Sequence, residues 1–318
     1  MLITEAIRAP TFANHESFHL RYGWLKKAYD AVVSNPKIFV SDEAPITLGV
    51  GKNMVRSIRF WALSTKVIEH QRRPQHSEVT PTKIGHAIFD NKRGLDPYLE
   101  DPQTLWLLHW LLLTPPCRIP VWWIILNEFP ATNVRIAELA ESIQHRIMNM
   151  PEWKTPSPKS IKKDVDVFIH TYTTEQGRLL MEDYLNCPFR QMRLIRQGSR
   201  KTVRFVYGKK YGMTPHIVAY ACLDFIIQLG MASRNISVTR LATEAGGVGN
   251  AFKMGETDLG GLLAEACRTS NHIKMENING VPHLMFDNPT EAAIEALYTA
   301  YGKKSSRLGS EAEVPLVS

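Results

Sequence analysis

Between Thr104 and Leu126 the chain reads TLWLLHWLLLTPPCRIPVWWIIL, and no other stretch limits the fold as much. It is too apolar to lie on a surface. Yet a proline pair at 115–116, then Arg118 and Pro120, interrupt it before eighteen uncharged apolar residues accumulate. The expectation is two short helices joined by a proline-containing turn and buried on all sides, not a membrane span. Asp101-Pro102, just ahead of the run, fits a helix start. The 318 residues are enough for two or three domains around such a hairpin.

Helical periodicity dominates the flanking sequence. GWLKKAYDAVV places Trp24, Leu25, Ala28, Tyr29 and Val32 on one face. After a loop with Pro36 and Pro45, GVGKNMVRSIRFWALSTKVIEH sets Val55, Ile58, Leu63 and Val67 on an apolar stripe, with Lys52, Arg56 and Arg59 on the other flank. The polar segment QRRPQHSEVTPT follows, then a short β-like piece around IGHAIFD (84–90) and the turn NKRG. Helix, loop, basic helix and short strands follow one another as in a winged helix-turn-helix.

That order recurs. VRIAELAESIQHRI and PSPKSIKKDVDVFIHTY predict two helices, the second capped by Ser157 with Pro158 at its first position. QMRLIRQGSRKTVRFVYG alternates Met192, Leu194, Val203 and Phe205 about a Gly198-Ser199 turn and predicts a hairpin. A third round runs through TPHIVAYACLDFIIQLG, SVTRLATEAGG and ETDLGGLLAEACRTS to the hairpin HIKMENINGVPHLMFD and the helix PTEAAIEALYTAY. The fold class expected is mostly α (α+β), with tandem winged-helix-like modules carrying short hairpins. The boundaries expected are 1–101, 102–212 and 213–302, with a disordered polar tail at 303–318.

Charge narrows the partner. The formal net charge is +7, but its placement matters more: Arg193, Arg196, Arg200, Lys201, Arg204 and Lys209 fall between Arg190 and Lys210 with no acid among them. Such a block repels itself unless counterions or an anionic partner neutralise it. Nucleic acid is the natural partner; a solvated basic face is the alternative. The four cysteines are widely spaced without a C-x-x-C pair, so neither a disulfide framework nor a zinc ribbon is expected and a reducing cytoplasm is the default. MLITEAIRAP carries acid early and lacks the pattern of a signal peptide.

Residues 15–19, HESFH, match the H-E-x-x-H of a zinc peptidase. That chemistry needs both histidines on one helix face. Here Phe18, Leu20, Tyr22 and Trp24 alternate with His19, Arg21 and Gly23, a period of two. On an extended chain His15 and His19 sit about 13 Å apart, too far to share an ion. A zinc peptidase built on His15, Glu16 and His19 is therefore the distant alternative. His15 and Glu16 read either as a pair locking the first segment in place or as a polar site facing nucleic acid, with Arg21 for a phosphate.

Gly49 and Gly51 precede a helix that opens with Lys52 and Asn53, an anion-binding position although not a P-loop. Asp96, Glu100 and Asp101, and the pair Asp164 and Asp166, could hold Mg2+, but helix starts and opposed helix faces explain them better. GGVGN at 246–250 follows no strand, which argues against a dinucleotide fold.

Three blocks, FANHESFHLRYGWLKKAYDAV, ITLGVGKNMVRSIRFWAL and GLDPYLEDPQTLWLLHWLLL, occur here in an order that resembles the SspB-like family of the Ssp DNA phosphorothioation systems. The resemblance covers about the first 130 residues closely and the rest more loosely. In that pattern the His-Glu-small-Phe core and the later Trp-Leu belong to the motif and the second histidine need not. It implies an anti-phage defence pathway in which sulfur replaces a non-bridging phosphate oxygen of DNA. It also implies partners: a cysteine desulfurase, an ATPase and an ATP-pyrophosphatase-like sulfur-transfer protein. The SspB-like member is implied to act on DNA, with nicking attributed to it; an adaptor role is the alternative. No nuclease motif of the PD-(D/E)xK or H-N-H type is found, so no catalytic residue is carried over from the family.

The combined expectation is a cytoplasmic protein that binds double-stranded DNA and nicks one strand with a divalent metal, Mg2+ or Mn2+. Its DNA contacts are expected at Arg21, Lys52, Asn53, Arg56 and Arg59, and at Arg193, Arg196, Arg200, Lys201 and Arg204. His15 and Glu16 are the expected catalytic pair.

Overall fold

The computed structural model describes residues 1–71, 78–129, 133–173, 187–198 and 201–303. Arg200, Ser199 of the expected hairpin turn and all but the first residue of the expected tail lie outside these. The chain opens with α1 (Ile3–Ala6), α2 (Trp24–Ser34), α3 (Ala44–Leu48) and α4 (Lys52–Ser64), followed by β1 (Ile68–His70) paired antiparallel with β2 (Val79–Pro81). Next comes α5 (Lys83–Phe89), where the sequence pattern suggested a β-like piece. A seven-residue apolar run fits either period, and the ends decide it. Thr82 caps the helix by accepting the Gly85 N–H at 2.9 Å. Gly85 lets α5 close on the preceding strand, since a Cβ there would come 2.1 Å from the Val67 carbonyl oxygen.

The long apolar run forms α6 (Pro102–Leu113) and α7 (Pro120–Asn127), with Asp101 accepting the Gln103 N–H at 3.0 Å as the cap of α6. Then follow β3 (Val134–Arg135), α8 (Ile136–Met148), α9 (Pro158–Tyr172), β4 (Ile195–Gln197) and β5 (Thr202–Phe205). Ser157 caps α9 through the Ser160 N–H at 3.2 Å. The sheet order is β3-β5-β4, so the strand ahead of the two helices pairs with the last strand of the hairpin. Met192, read as a strand residue, lies instead in a 3-10 turn over Pro188–Met192 and is buried with Leu194, Val203 and Phe205.

The last third repeats the order with α10 (Pro215–Gln228), β6 (Asn235–Ser237), α11 (Val238–Thr243), α12 (Val248–Phe252), α13 (Glu256–Cys267), β7 (Ile273–Ile278) and β8 (Val281–Phe286). Its sheet order is β6-β8-β7, the same arrangement. Asn279 and Gly280, both at positive φ, make the two-residue β7–β8 turn. α14 (Pro289–Ala300) closes the chain against α10. The fold is therefore mostly helical α+β with small antiparallel sheets, as expected. Among the described residues no helix is long and apolar enough to cross a membrane.

α6 is buried on every side, from Gln103 to Leu113, so each of its polar side-chain atoms needs a protein partner. Trp106 donates its indole N–H to the Tyr211 carbonyl at 2.9 Å, and Trp110 donates to Asp224 Oδ2 on α10 at 2.7 Å. His109 Nε2 reaches the Ala251 carbonyl at 2.9 Å and must carry the proton, so Nδ1 accepts from the Tyr172 hydroxyl at 2.5 Å. Burial holds His109 down at about 4, so the ring is neutral. Lysines cap the two C-termini: Lys66 donates to the carbonyls of Leu111 and Thr114, and Lys253 to that of Leu126 at 2.5 Å.

Burial raises Asp224 to about 6, against the donation it receives from Trp110 and Gln228. Because the folded value lies above the unfolded one, this carboxyl's contribution is fully present below the unfolded pKa and is lost as pH rises through about 6. Asp224→Asn should therefore match the parent protein near pH 4 and exceed its stability by about 3 kcal/mol at pH 7, measured by chemical denaturation at both pH values.

Candidate nucleic-acid interface

The HESFH segment is neither helical nor extended. Ala13, Glu16 and Ser17 all have positive φ, and the chain folds into tight turns closed by Glu16 N–H to the Ala13 carbonyl and Phe18 N–H to the His15 carbonyl. The turn sends adjacent side chains opposite ways: His15 is 2% exposed, while Glu16 lies partly in solvent. The Ser17 N–H donates to His15 Nδ1 at 3.0 Å, so the ring proton sits on Nε2 and is donated to Asp164 Oδ1 on α9 at 2.7 Å. The Ala13 N–H reaches the same oxygen at 2.9 Å. Burial pushes Asp164 up, opposed by the His15 hydrogen bond. The His15 ring lies over Trp61 and edge-on to Phe60 of α4, and Trp61 donates to the Phe18 carbonyl at 3.1 Å. His15 thus bolts this segment between α4 and α9.

This geometry does not form a zinc-peptidase centre. The two histidines do not share a helix, and both nitrogens of His15 are engaged. An imidazole N–H facing a carboxylate at 2.7 Å holds a proton between them and does not fit a divalent ion. Among the described residues no group of three or more His, Cys, Asp or Glu side chains is placed to hold one. Asp96 and Asp101 are occupied locally. Asp96 accepts from the backbone of Glu100 and Asp101 and from the Thr104 hydroxyl, while Asp101 caps α6.

Cations line the outer side of α4. Lys52, Asn53 and Arg56 are exposed, and the spacing of 52, 56 and 59 puts Lys52, Arg56 and Arg59 along one stripe. Glu16 is the acid beside it, 3.6 Å from Arg56 Nη1, whose side chain is 68% exposed. The chain enters α4 through Gly51, next to which a Cβ would meet open space. Arg59 sits deeper: its Nε is buried without a hydrogen-bond partner, and burial lowers its pKa. Arg118, in the turn between α6 and α7, is lowered by burial and then by repulsion from Arg59. His70, at the end of β1, is lowered by burial and then by Arg118 and Arg59. Arg21 lies over the rings of Phe18 and Trp24 at 5.6 and 5.5 Å, which holds its guanidinium against the first segment.

A second group of cations is carried by the β4–β5 hairpin. Ile195 and Phe205 pair across it and point inward, so their neighbours Arg196 and Arg204, also paired, point outward and are exposed. Like charges placed directly opposite destabilise a hairpin unless an anion lies between or above them. Arg193, at φ 50°, ends the 3-10 turn and is exposed, as is Lys201 at φ 57°. Gln191, in that 3-10 turn, donates to the Tyr22 hydroxyl and so links the hairpin's base to the segment that holds His15.

The structure therefore gathers His15, Glu16 and Arg56 in one neighbourhood, and Arg193, Arg196, Lys201 and Arg204 on another element. Sequence reasoning missed Asp164 as the partner of His15, and Arg118. The first had a signal: Ile161, Val165, Phe168 and Tyr172 form the buried stripe of α9, and Asp164 falls within it. An acid on an apolar face needs a buried donor. Arg118 carried a similar one, a lone cation between Cys117 and Ile119 in an apolar turn.

These features define a class: a mostly helical α+β scaffold of helix–strand modules that displays exposed cations on one helix and one hairpin, with Glu16 at Arg56 as their acid partner among the described residues. The chain belongs to the family described as proteins of unknown function, DUF4007, whose model matches residues 12–301. It is similar to an SspB crystal structure at 35% identity and a TM-score of 0.87, over 96% of this chain and 92% of that one. A magnesium-ion-bound SspB crystal structure is similar at 33% identity, with the same TM-score and coverage. The resemblance to the SspB-like family read from the sequence is borne out. No curated protein matches.

Removing the His15 ring leaves Asp164 buried with a lost donor and a gap against Trp61. His15→Ala should cost about 3 kcal/mol of stability, whereas Glu16→Gln, at the surface, should stay within about 0.5 kcal/mol, both read from denaturant midpoints.

Proposed function

We propose that this protein binds the backbone of duplex DNA and acts as the DNA-directed, strand-nicking component of a phosphorothioate modification system. The observation that carries the reading is the exposed cations on α4 together with the outward Arg196–Arg204 pair, charge that among the described residues meets an acid only where Glu16 pairs with Arg56. The similarity to SspB over nearly the whole chain supports the assignment to that system. In this reading the modules are winged-helix-like, with α4 laid along the phosphates and β4–β5 as a wing. Lys52, Asn53, Arg56 and Arg59 contact backbone from the helix, and Arg193, Arg196, Arg200, Lys201 and Arg204 from the wing, with Arg21 supporting the first segment. Partners proposed with the system are a cysteine desulfurase, an ATPase and an ATP-pyrophosphatase-like protein, in the cytoplasm.

For strand nicking, Glu16 is the member of the proposed catalytic pair that a substrate reaches, while His15 positions the turn beneath it. The proposal includes a divalent ion, Mg2+ or Mn2+, for which the His15–Asp164 pair is not the seat. A second reading, a DNA-binding adaptor that recruits the sulfur-transfer proteins, is favoured by one observation: His15 is nearly inaccessible.

Two measurements separate these readings. Supercoiled plasmid incubated with the protein and Mg2+ or Mn2+ should relax to open circles, and Glu16→Gln should abolish relaxation while keeping DNA affinity. Retained affinity with intact plasmid establishes the adaptor. In either case the affinity should fall steeply with salt, and replacing Arg56, Arg196 or Arg204 by Gln should each reduce the log–log salt slope by roughly 0.9. Salt-independent binding, or no binding in dilute buffer, contradicts both.

A further inference from the structure

Between β5 and α10 the chain runs through VYGKKYGMT, residues 206–214, and the core pins this loop at several points. The Gly208 N–H donates to the Lys253 carbonyl at 3.1 Å, and the Tyr211 carbonyl accepts the Trp106 indole N–H at 2.9 Å. Lys210 turns inward, its Nζ donating to the carbonyls of Gly208 and Phe252, both at 2.7 Å. Gly212, at φ 73°, lies so close to α6 that a Cβ would come 2.5 Å from the Pro102 Cβ. The backbone is fixed, yet two aromatic side chains stay outside: Tyr207 is 49% exposed and Tyr211 70%. Among the described residues neither ring packs on another aromatic ring or under a cation, and neither hydroxyl has a hydrogen-bond partner. Their exposed faces are not used by the fold.

The loop continues the cationic hairpin. Arg204, outward on β5, precedes Tyr207 by three residues, at most about 10 Å of chain. Lys209 is exposed between the two tyrosines, while Asp258 on α13 comes beside Gly208, its Oδ2 3.5 Å from where a Cβ would stand. With that acid beside it, the loop attracts through its rings more than its charge, and the charge comes from the hairpin. A partner suited to both carries flat apolar faces on an anionic chain. A duplex hides its base faces in its own stack, whereas an unpaired strand exposes them, and an aromatic side chain accepts any of them. We propose that Tyr207 and Tyr211 form a stacking platform for unpaired bases of single-stranded DNA whose phosphates run onto Arg196 and Arg204. This rests on the DNA reading above for the phosphates and adds a seat for a strand that has left the duplex. The fixed backbone presents both rings before the strand arrives, so little ordering is left to oppose binding.

The test titrates the full chain with three probes in dilute buffer: oligo-dT of about 15 nucleotides, an abasic strand of equal length, and a duplex. The parent should bind oligo-dT more tightly than the abasic strand, which keeps the phosphates and lacks the bases. Tyr207→Ala and Tyr211→Ala should each weaken oligo-dT binding by roughly tenfold and leave the abasic strand and the duplex unaffected. Tyr207→Phe and Tyr211→Phe should keep the parent affinity, because the ring and not the hydroxyl carries the contact. Thermal midpoints matching the parent's show that the variants fold. Alanine variants that bind oligo-dT as well as the parent, or that lose the abasic strand equally, overturn the platform. If the duplex is bound while oligo-dT binding ignores both tyrosines, the platform fails and the DNA reading stands. If oligo-dT binding depends on the tyrosines and the duplex is not bound, the duplex reading fails and the platform stands.

Discussion

The rest of the fold depends on burying α6 completely without stranding its polar atoms. A helix apolar all round has no solvent face, so its two indoles and one imidazole must find acceptors or donors elsewhere in the protein. They find them in different places: the Tyr211 carbonyl, Asp224 on α10, the Ala251 carbonyl and the Tyr172 hydroxyl on α9. Each bond is worth only about 1 kcal/mol net, but leaving one unmade costs more, so together they select one arrangement of the surrounding elements. Lys66 and Lys253 complete the arrangement by donating to the C-terminal carbonyls of α6 and α7, which is why two ammonium groups are tolerated so deep.

The same division between inside and outside produces the cationic surface. Apolar faces of α4 and of the β4–β5 hairpin are consumed by the core, which leaves their cations outward by default: one helix turn apart on α4, and directly opposed on the hairpin. The left-handed turn at Glu16 and Ser17 separates two neighbouring residues completely. His15 becomes a hidden bolt to α9, and Glu16 becomes the surface acid beside Arg56. Arg59 stands at the boundary, close enough to the core for its Nε to lose water.

Much of this was legible in the chain wherever the determinants are local. The helices α2, α4, α6 and α9 follow from apolar spacing and from caps such as Asp101-Pro102 and Ser157-Pro158, all of which act within a turn of the residues they fix. The exposed cations of α4 and the hairpin follow from the same spacing. What failed to show was long-range or finely balanced. IGHAIFD could take either period, and Thr82 with Gly85 tips it to a helix against Val67. The alternation from Phe18 to Trp24 suggested extended chain, but the HESFH turn is set by Asp164, almost 150 residues away. Arg118 was visible only as a break in an apolar run.

The central claim is that the cations on α4 and on the hairpin lie against a nucleic-acid backbone. Arginine-specific dicarbonyl modification, mapped by peptide mass with and without a duplex, tests it directly. The account predicts protection of Arg56, Arg196 and Arg204 by duplex in dilute buffer, lost at high salt, with Arg240 and Arg268 modified equally in both conditions. Protection confined to Arg240 or Arg268, or none at all under conditions where the duplex is bound, would contradict it.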